Sequence, residues 1–131
     1  VYNQRGGHRL KIDFQSQTPI FLQVSQGLED EILSGIYGEE EQIPSITELS
    51  ANYKINPATA LKGINLLVDG GIVYKKRGIG MFVASGAVQK LKEKRQEEFY
   101  NQYILPLVQE AKRLDIEPAK IQEWIERGFA R

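Results

Sequence analysis

The sequence predicts an α+β fold, mostly α, with three helices, a two-stranded hairpin and a helical C-terminal region. Apolar residues recur at helical spacing in three early segments, and only Lys54-Ile55-Asn56 separates the second segment from the third. Alternating apolar residues at 72–75 and 81–84 bracket a turn that contains Gly78-Ile79-Gly80. This order of elements is that of a winged helix-turn-helix domain, which we expect over residues 12–86.

The first helix is expected from Pro19 to Ser34. Thr18 followed by a proline is typical of a helix start, because the threonine can cap and the proline has no N–H to satisfy. Gly35 follows the last apolar position, as glycine often does where a helix ends. Residues 1–11 precede this pattern, and we expect them to form a flexible tail.

Capping residues define the starts of the second and third helices. Ser45 and Glu48 predict a capping box before a helix over Ile46–Tyr53, because each side chain can accept from the other residue's backbone N–H. The third helix begins at Pro57, whose missing N–H is tolerated at the first helical position, and Asn56 is its N-cap. The short connection predicts a tight helix-turn-helix corner.

The third helix has an inward apolar face and an outward face that is mostly polar. The inward residues are Ala60, Ile64, Leu67 and Val68, and the outward residues are Ala58, Thr59, Lys62, Asn65 and Asp69. Gly63 costs about 1 kcal/mol in a helix relative to alanine, which we attribute to a close crossing by the second helix. The outward face is the candidate reading surface.

Residues 87–131 are predicted to be a helical dimerisation region of two helices. Their apolar positions alternate at spacings of four and three, which is typical of a seam that packs on a partner helix. Pro106 is expected to bend the first of these helices near Tyr103. Because two helices alone bury too little surface to fold independently, we expect them to pair with a second subunit. The predicted interface residues are Tyr100, Tyr103, Ile104, Leu107, Ala111, Leu114, Ile121, Trp124 and Ile125.

The charges are segregated along the chain although the formal net charge is zero. Every charged residue from Leu28 to Tyr53 is acidic, whereas Asp69 is the only acid from Lys54 to Arg77. A local basic field attracts nucleic acid, and ordinary solvated faces are the alternative explanation. We expect the acidic stretch Gly38–Glu41 to be a solvated loop and the following Gln42-Ile43 to be a short strand.

Composition argues against an enzyme. The chain has no cysteine, and its single histidine, His8, lies in the predicted tail. The usual nucleophiles, bases and soft metal ligands are therefore missing, and we expect no catalytic activity, metal or cofactor. No apolar run approaches the roughly 20 residues of a membrane-spanning helix, and the first residues show no signal-peptide pattern. We expect a soluble cytoplasmic protein without a membrane partner.

Five motifs resemble, in order and spacing, the winged-helix domain of GntR-family transcription regulators. They are Pro19–Gln23, Ile32–Gly35, Ile43–Ser45, Asn56–Thr59 and Arg77–Val83. The short helical tail is similar to that of the YtrA subfamily, in which two helices make a homodimer and no large effector domain is present. The resemblance implies a bacterial DNA-binding repressor, in a subfamily that often represses operons for membrane transporters. It identifies neither the operator nor any small-molecule effector.

Four positions differ from the pattern of the resembled family. Thr47 stands where a DNA-contacting arginine is usual, and Lys62 stands where arginine is frequent on the recognition helix. Lysine keeps the charge but loses the planar fork that pairs with guanine, so operator preference should differ from that of relatives with arginine. Lys54 and Glu40 occupy positions where the family commonly has glycine, and we expect neither change to break the fold.

DNA binding is expected to combine base contacts with phosphate contacts. In the major groove, Lys62 is expected to reach guanine and Asn65 to pair with adenine, while the helix starts hold phosphates. The wing would follow the backbone or enter an A·T-rich minor groove through Arg77. The alternative is a protein-interaction module in which the same cations dock an acidic partner. The predicted DNA-binding residues are Ser45, Thr47, Asn56, Ala58, Thr59, Lys62, Asn65, Lys75, Lys76, Arg77, Gly78 and Gly80.

Overall fold

A computed structural model describes residues 10–131. Residues 1–9, which include His8, lie outside the described residues. The flexible tail was predicted to extend to residue 11, but Leu10 is only 7% exposed and packs in the core, so any tail ends before it. Its backbone N–H also donates to the hydroxyl of Tyr53 at 3.2 Å.

Helix α1 spans Ile20–Leu33. Its N-cap is Pro19 and no side chain makes a capping bond, so the prediction that Thr18 caps this helix is wrong. The carbonyl oxygen of Thr18 instead accepts from Nε2 of Gln23 at 2.9 Å, which fixes the chain just before the helix. Gly35 follows the C-cap with φ of +86°, which confirms the predicted glycine at the helix end.

Helices α2, Ile46–Tyr53, and α3, Pro57–Asp69, form the predicted helix-turn-helix. In the capping box, Oγ of Ser45 accepts from the Glu48 N–H at 3.0 Å, and Oε1 of Glu48 accepts from the Ser45 N–H at 3.1 Å. Oδ1 of Asn56 accepts a backbone N–H of the first turn of α3 at 2.8 Å. Both predicted caps are therefore confirmed.

The wing is an antiparallel hairpin of strands β1, Val73–Lys76, and β2, Gly80–Val83. The short strand predicted at Gln42-Ile43 is reduced to a single antiparallel bridge between Gln42 and Phe82. This bridge places the segment before α2 beside β2, on the edge opposite β1.

Helices α1, α2 and α3 and the wing enclose one hydrophobic core. The inward face predicted on α3 contributes to it: Ala60, Ile64 and Leu67 are buried, and Val68 is partly buried. Helix α4, Ala87–Phe99, begins in the same core, because Ala87 and Leu91 are fully buried there. The first compact unit consequently extends to Lys92, beyond residue 86, where we expected the domain to end.

Gly63 is a point of close contact between two helices. A Cβ at this position would lie 2.8 Å from the carbonyl oxygen of Phe21 and 2.9 Å from a methyl carbon of Val24, both on α1. The prediction that α2 crosses here is therefore wrong. Gly63 lies on the side of α3 that faces α1, and the missing side chain lets the backbone of α1 approach.

The second compact unit, Glu93–Arg131, contains the end of α4, a π-helical segment at Tyr100–Ile104, helix α5, Leu105–Arg113, and helix α6, Pro118–Phe129. No helix among residues 10–131 is long and apolar enough to cross a membrane.

Pro106 accounts for the π-helical segment. It has no N–H for the α-helical bond to residue 102, and its ring crowds that carbonyl group. Just before it, the N–H of Leu105 donates to the carbonyl oxygen of Tyr100, five residues back. The sequence predicted a bend near Tyr103, and the structure has a π-helical segment at that place.

Candidate nucleic-acid interface

The outward face of α3 is solvent-exposed at Ala58, Lys62 and Asn65, as predicted. Thr59 is only partly exposed. It lies four residues before Gly63, whose position faces α1, and therefore on the same side of the helix. The side-chain oxygen of Asn56 is used to cap α3, so this residue holds the helix start in place as well as lying exposed beside it.

The start of α2 presents a second set of predicted contacts. Thr47 is exposed in the first turn of this helix. Oγ of Ser45 accepts a backbone N–H in the capping box, which leaves its own O–H as a donor for an oxygen ligand. Backbone N–H groups at the start of a helix point outward and favour anions such as phosphate.

One groove of about 470 Å³ is shared by three elements: the start of α2, the side of α3 that carries Leu61, Asn65 and Val68, and the wing. Seven of the predicted DNA-binding residues line it, namely Ser45, Thr47, Asn65, Lys75, Lys76, Gly78 and Gly80. The other five, Asn56, Ala58, Thr59, Lys62 and Arg77, lie outside its lining. Leu61 of α3 and Ile79 of the wing also line the groove and were missed, because apolar residues gave no signal for a polar partner.

Lys62 has a partner that the sequence did not indicate. Its Nζ lies 4.0 Å from the centre of the Phe21 ring, in cation–π geometry. Phe21 is the second residue of α1, and it comes close because of the contact at Gly63. The ammonium group is therefore held on the α1 side of α3.

The wing carries three exposed cations, Lys75, Lys76 and Arg77. Nζ of Lys76 lies 4.4 Å from the centre of the Phe82 ring, so an aromatic residue of the opposite strand positions this ammonium group. The turn itself needs glycine, because Gly78 has φ of +76°.

Gly80 also needs the absence of a side chain. Its φ is +149°, and a Cβ there would collide with Nε2 of Gln42. That nitrogen donates to the carbonyl oxygen of Ile79 at 3.1 Å, so Gln42 ties the wing tip to the segment before α2.

The glutamates of the acidic loop are exposed, as predicted, but Glu39 and Glu40 also make hydrogen bonds that the sequence did not indicate. The two carboxylate oxygens of Glu39 accept from the N–H groups of Gly86 and Val88, at 2.9 and 3.2 Å, and so cap α4. Glu40 accepts from the hydroxyls of Tyr74, at 2.5 Å, and Ser85, at 2.7 Å. The loop therefore connects the wing to the start of α4.

These contacts shift two proton equilibria. The hydrogen bond from Tyr74, followed by that from Ser85, lowers the pKa of Glu40 because both stabilise the carboxylate. The same Tyr74–Glu40 bond raises the pKa of Tyr74, since the carboxylate favours the protonated phenol. No sequence pattern indicated this pair, whose members are far apart along the chain.

Both positions where the resembled family commonly has glycine have left-handed backbone. Glu40 has φ of +68° and Lys54 has φ of +54°. Non-glycine residues are strained in this region by about 1 kcal/mol or more. As predicted, neither residue breaks the fold.

The predicted dimer-interface residues form a largely exposed apolar surface in the unit Glu93–Arg131. A groove of about 520 Å³ there is lined by Phe99, Tyr103, Ile104, Leu107, Ile125, Gly128 and Phe129. Tyr100, Leu114 and Trp124 are exposed outside that groove, Ile121 is partly exposed and Ala111 is buried. Phe99 and Phe129 also line the groove but were not among the predicted interface residues, and Phe129 is 88% exposed.

The helix-turn-helix, its exposed third helix and the cationic wing together define a winged-helix DNA-binding domain. Residues 21–83 match the profile of the family described as bacterial regulatory proteins, gntR family. The chain is also 31% identical over 116 residues to the HTH-type transcriptional repressor YtrA of Bacillus subtilis (strain 168), covering 88% of each protein. The chain belongs to the gntR family, and the resemblance to YtrA-type regulators is confirmed.

Solved structures support the same assignment. The chain resembles a GntR-family transcriptional regulator from Bacteroides thetaiotaomicron with a TM-score of 0.75 and 33% identity, over 86% of this chain and 97% of that one. It also resembles the DNA-binding domain of AraR in complex with operator ORX1, with a TM-score of 0.53 and 30% identity, over 57% of this chain and 96% of that one. The family consists of transcription regulators, so this chain is a DNA-binding regulator and not an enzyme.

Proposed function

We propose that this protein is a homodimeric repressor that acts in the cytoplasm and binds an inverted-repeat operator. The groove shared by α2, α3 and the wing carries this proposal, because seven residue positions expected to contact DNA converge on it. YtrA-type regulators often repress operons for membrane transporters, and we propose that this protein represses such an operon. The YtrA of Bacillus subtilis is itself named a transcriptional repressor.

In the proposed complex, α3 lies in the major groove. Ala58 and Asn65 are exposed on its outward face, and an asparagine amide can pair bidentately with adenine. The starts of α2 and α3 hold phosphates through backbone N–H groups and polar side chains. The residues assigned to phosphate contacts at these starts are Ser45, Thr47, Asn56 and Thr59.

The wing supplies the remaining contacts. Lys75, Lys76 and Arg77 are exposed, and the glycines beside them leave little bulk at the tip, so the cations can come close to the DNA backbone. Arg77 lies in the turn itself, where it can reach the negative potential of a narrow A·T-rich minor groove.

Dimerisation is supported by the apolar surface of residues 93–131. Phe99, Tyr103, Trp124 and Phe129 each expose more than two fifths of their surface there. Exposed apolar patches of this kind are typical of protein interfaces. A twofold-symmetric dimer would present two copies of α3 to an operator with matching symmetry, which is why we propose an inverted repeat.

The test is selection of bound duplexes from a random-sequence DNA pool by the purified protein at about 150 mM salt, which suppresses non-specific binding. Enrichment of an inverted repeat supports a dimeric, sequence-reading regulator. Asn65→Ala is the informative variant, because it should relax selection at one position of each half-site. Asn52→Ala, the same substitution at an exposed position of α2 outside the groove and outside the predicted DNA contacts, is its matched control and should leave the selected sequence unchanged.

Two other results would contradict parts of this proposal. A stable dimer that enriches no sequence, but binds an acidic protein through the wing, would support the protein-interaction alternative. A monomer that enriches a single half-site would retain the DNA-binding proposal and overturn the inverted-repeat operator.

A further inference from the structure

Two residues on the outward face of α3 face different sides of the helix. Asn65 lines the groove shared with the wing, whereas the ammonium group of Lys62 lies over the ring of Phe21 on α1. These side chains are three residues apart and therefore about 60° apart around the helix axis. Their neighbours separate them further, because Asn65 lies on the wing side and the ammonium group of Lys62 lies over the Phe21 ring.

The position of Phe21 follows from Gly63. Without a side chain at Gly63, the backbone of α1 approaches α3 so closely that a Cβ there would lie 2.8 Å from the carbonyl oxygen of Phe21. This close approach brings the Phe21 ring beside Lys62, whose Nζ lies 4.0 Å from the ring centre. The arrangement restricts a side chain that otherwise has high rotamer freedom.

A helix with its side chains is about 10–12 Å wide, close to the roughly 12 Å width of the DNA major groove. Side chains on the face of the helix that points into the groove meet base edges, whereas side chains on its two flanks meet the sugar–phosphate backbones. Lys62 is held on a flank. An ammonium group is also a point charge with three donors, which suits a phosphate oxygen better than the bidentate pattern of a base.

We propose that Phe21 is a positioning residue that holds Lys62 on the α1 side of α3, where Lys62 binds a DNA phosphate instead of reading guanine. This inference rests on the proposed DNA-binding function and assigns Lys62 a role in affinity and register. Phe21 acts through Lys62 and makes no base contact of its own.

The test is a double-mutant cycle of Phe21→Leu and Lys62→Ala, measured by DNA affinity on the selected duplex and on a random-sequence duplex. Because binding to a phosphate is independent of sequence, the effects should appear on both. Phe21→Leu keeps the apolar volume and should weaken binding about twofold to fivefold, the range of an exposed cation–π interaction. Phe21→Tyr keeps the aromatic face and should restore wild-type affinity.

Lys62→Ala should flatten the slope of log affinity against log salt by about 0.9 for each phosphate that the protein no longer neutralises. In the Lys62→Ala background, Phe21→Leu should have no further effect. Phe14→Leu is the matched control, since Phe14 is 60% exposed in the loop before α1, and it should not change affinity. Lys75→Ala should weaken binding additively with Phe21→Leu, because the wing cation does not contact that ring.

Chemically altered DNA locates the phosphate that Lys62 binds. In the selected duplex, a neutral methylphosphonate at one position of each half-site should weaken the wild type but not Lys62→Ala. If 7-deazaguanine at one base shows that pattern instead, Lys62 reads a base and the inference is overturned. Additive effects of Phe21→Leu and Lys62→Ala would also overturn it. These outcomes leave the proposed function intact, whereas a wild-type protein that binds neither duplex would refute both.

Discussion

The two compact units of this chain have the same amphipathic helical pattern but bury it very differently. Residues 10–92 enclose a continuous core in which many side chains, such as Leu28 and Ile64, are 0% exposed. In residues 93–131, all of which the structure describes, Ala111 is the only buried apolar residue. The apolar helix faces are covered within the chain in the first unit and remain largely exposed in the second. Under the proposed dimerisation, a substitution can therefore change assembly without changing the fold.

The largest expected effect comes from breaking assembly without touching the core. Leu107→Asp puts a charge in the apolar groove of the second unit, where dimerisation would have to bury it. We expect a monomer by sedimentation equilibrium. Affinity for an inverted repeat should fall about 10²- to 10⁴-fold, because the two half-sites no longer bind as one unit.

Gln109→Asp is the control for that variant, since it adds the same charge at an exposed position of α5 outside the predicted seam. It should remain a dimer with wild-type affinity. A Leu107→Asp protein that sediments like the wild type would show that this apolar surface is not the dimer interface.

A smaller effect, on the free energy of unfolding, is expected when the same substitution, glycine to alanine, is made once in each unit. Gly63→Ala should cost about 1–3 kcal/mol in the free energy of unfolding, because its Cβ would overlap the backbone of α1. Gly128→Ala in α6 meets nothing within 4 Å and should add up to about 1 kcal/mol through helix propensity. Denaturant unfolding measures both.

If Gly63→Ala and Gly128→Ala changed the free energy of unfolding in the same direction, the contrast between the two units would not hold. A destabilising Gly128→Ala would be informative in itself, because Gly128 lines the apolar groove. It would indicate that a second chain already fills the space beside this glycine, and the cost should then disappear in the Leu107→Asp monomer.

Most local signals were predictable from the sequence, although the Thr18 cap was wrong, and long-range contacts were not predictable. The capping box of Ser45 and Glu48, the Asn56 cap and Gly35 depend on residues within a few positions of each other, and all were predicted. The crossing partner of Gly63 was wrong because it depends on how two helices pack. Of the site, the outward face and the wing cations could be predicted, while the Phe21 ring beside Lys62 could not.

The third prediction concerns Glu40 and Lys54, the non-glycine residues of the first unit with left-handed backbone. The expected change in the free energy of unfolding is about 1 kcal/mol. Lys54→Gly should stabilise the protein by about that amount, because glycine adopts this backbone without strain. Glu40→Gly relieves the same kind of strain but loses the bonds to Tyr74 and Ser85. It should therefore gain less than Lys54→Gly in thermal unfolding. A larger gain for Glu40→Gly would mean that those hydrogen bonds contribute nothing.

The smallest effect concerns the exposed hydrogen bonds by which Tyr74 of the wing and Ser85 are joined to Glu40 of the acidic loop. The pKa of Glu40 is lowered, so its contribution is present above the ordinary carboxyl pKa and is lost as the pH falls through the lowered value. The pKa of Tyr74 is raised, so its contribution is present below the ordinary tyrosine pKa and is lost as the pH rises through the raised value. The Tyr74–Glu40 bond should therefore persist across the neutral range.

An NMR titration of the Tyr74 ring tests this directly. In the wild type, Tyr74 should ionise above the ordinary tyrosine pKa, and Glu40→Ala should return its pKa to that ordinary range because the acceptor and its charge are removed. Tyr74→Phe should in turn raise the pKa of Glu40 toward its ordinary value. If Glu40→Ala leaves the titration of Tyr74 unchanged, the Tyr74–Glu40 bond does not form, and the acidic loop would be connected to the wing by the backbone bonds of Glu40 and Glu41 to Val83.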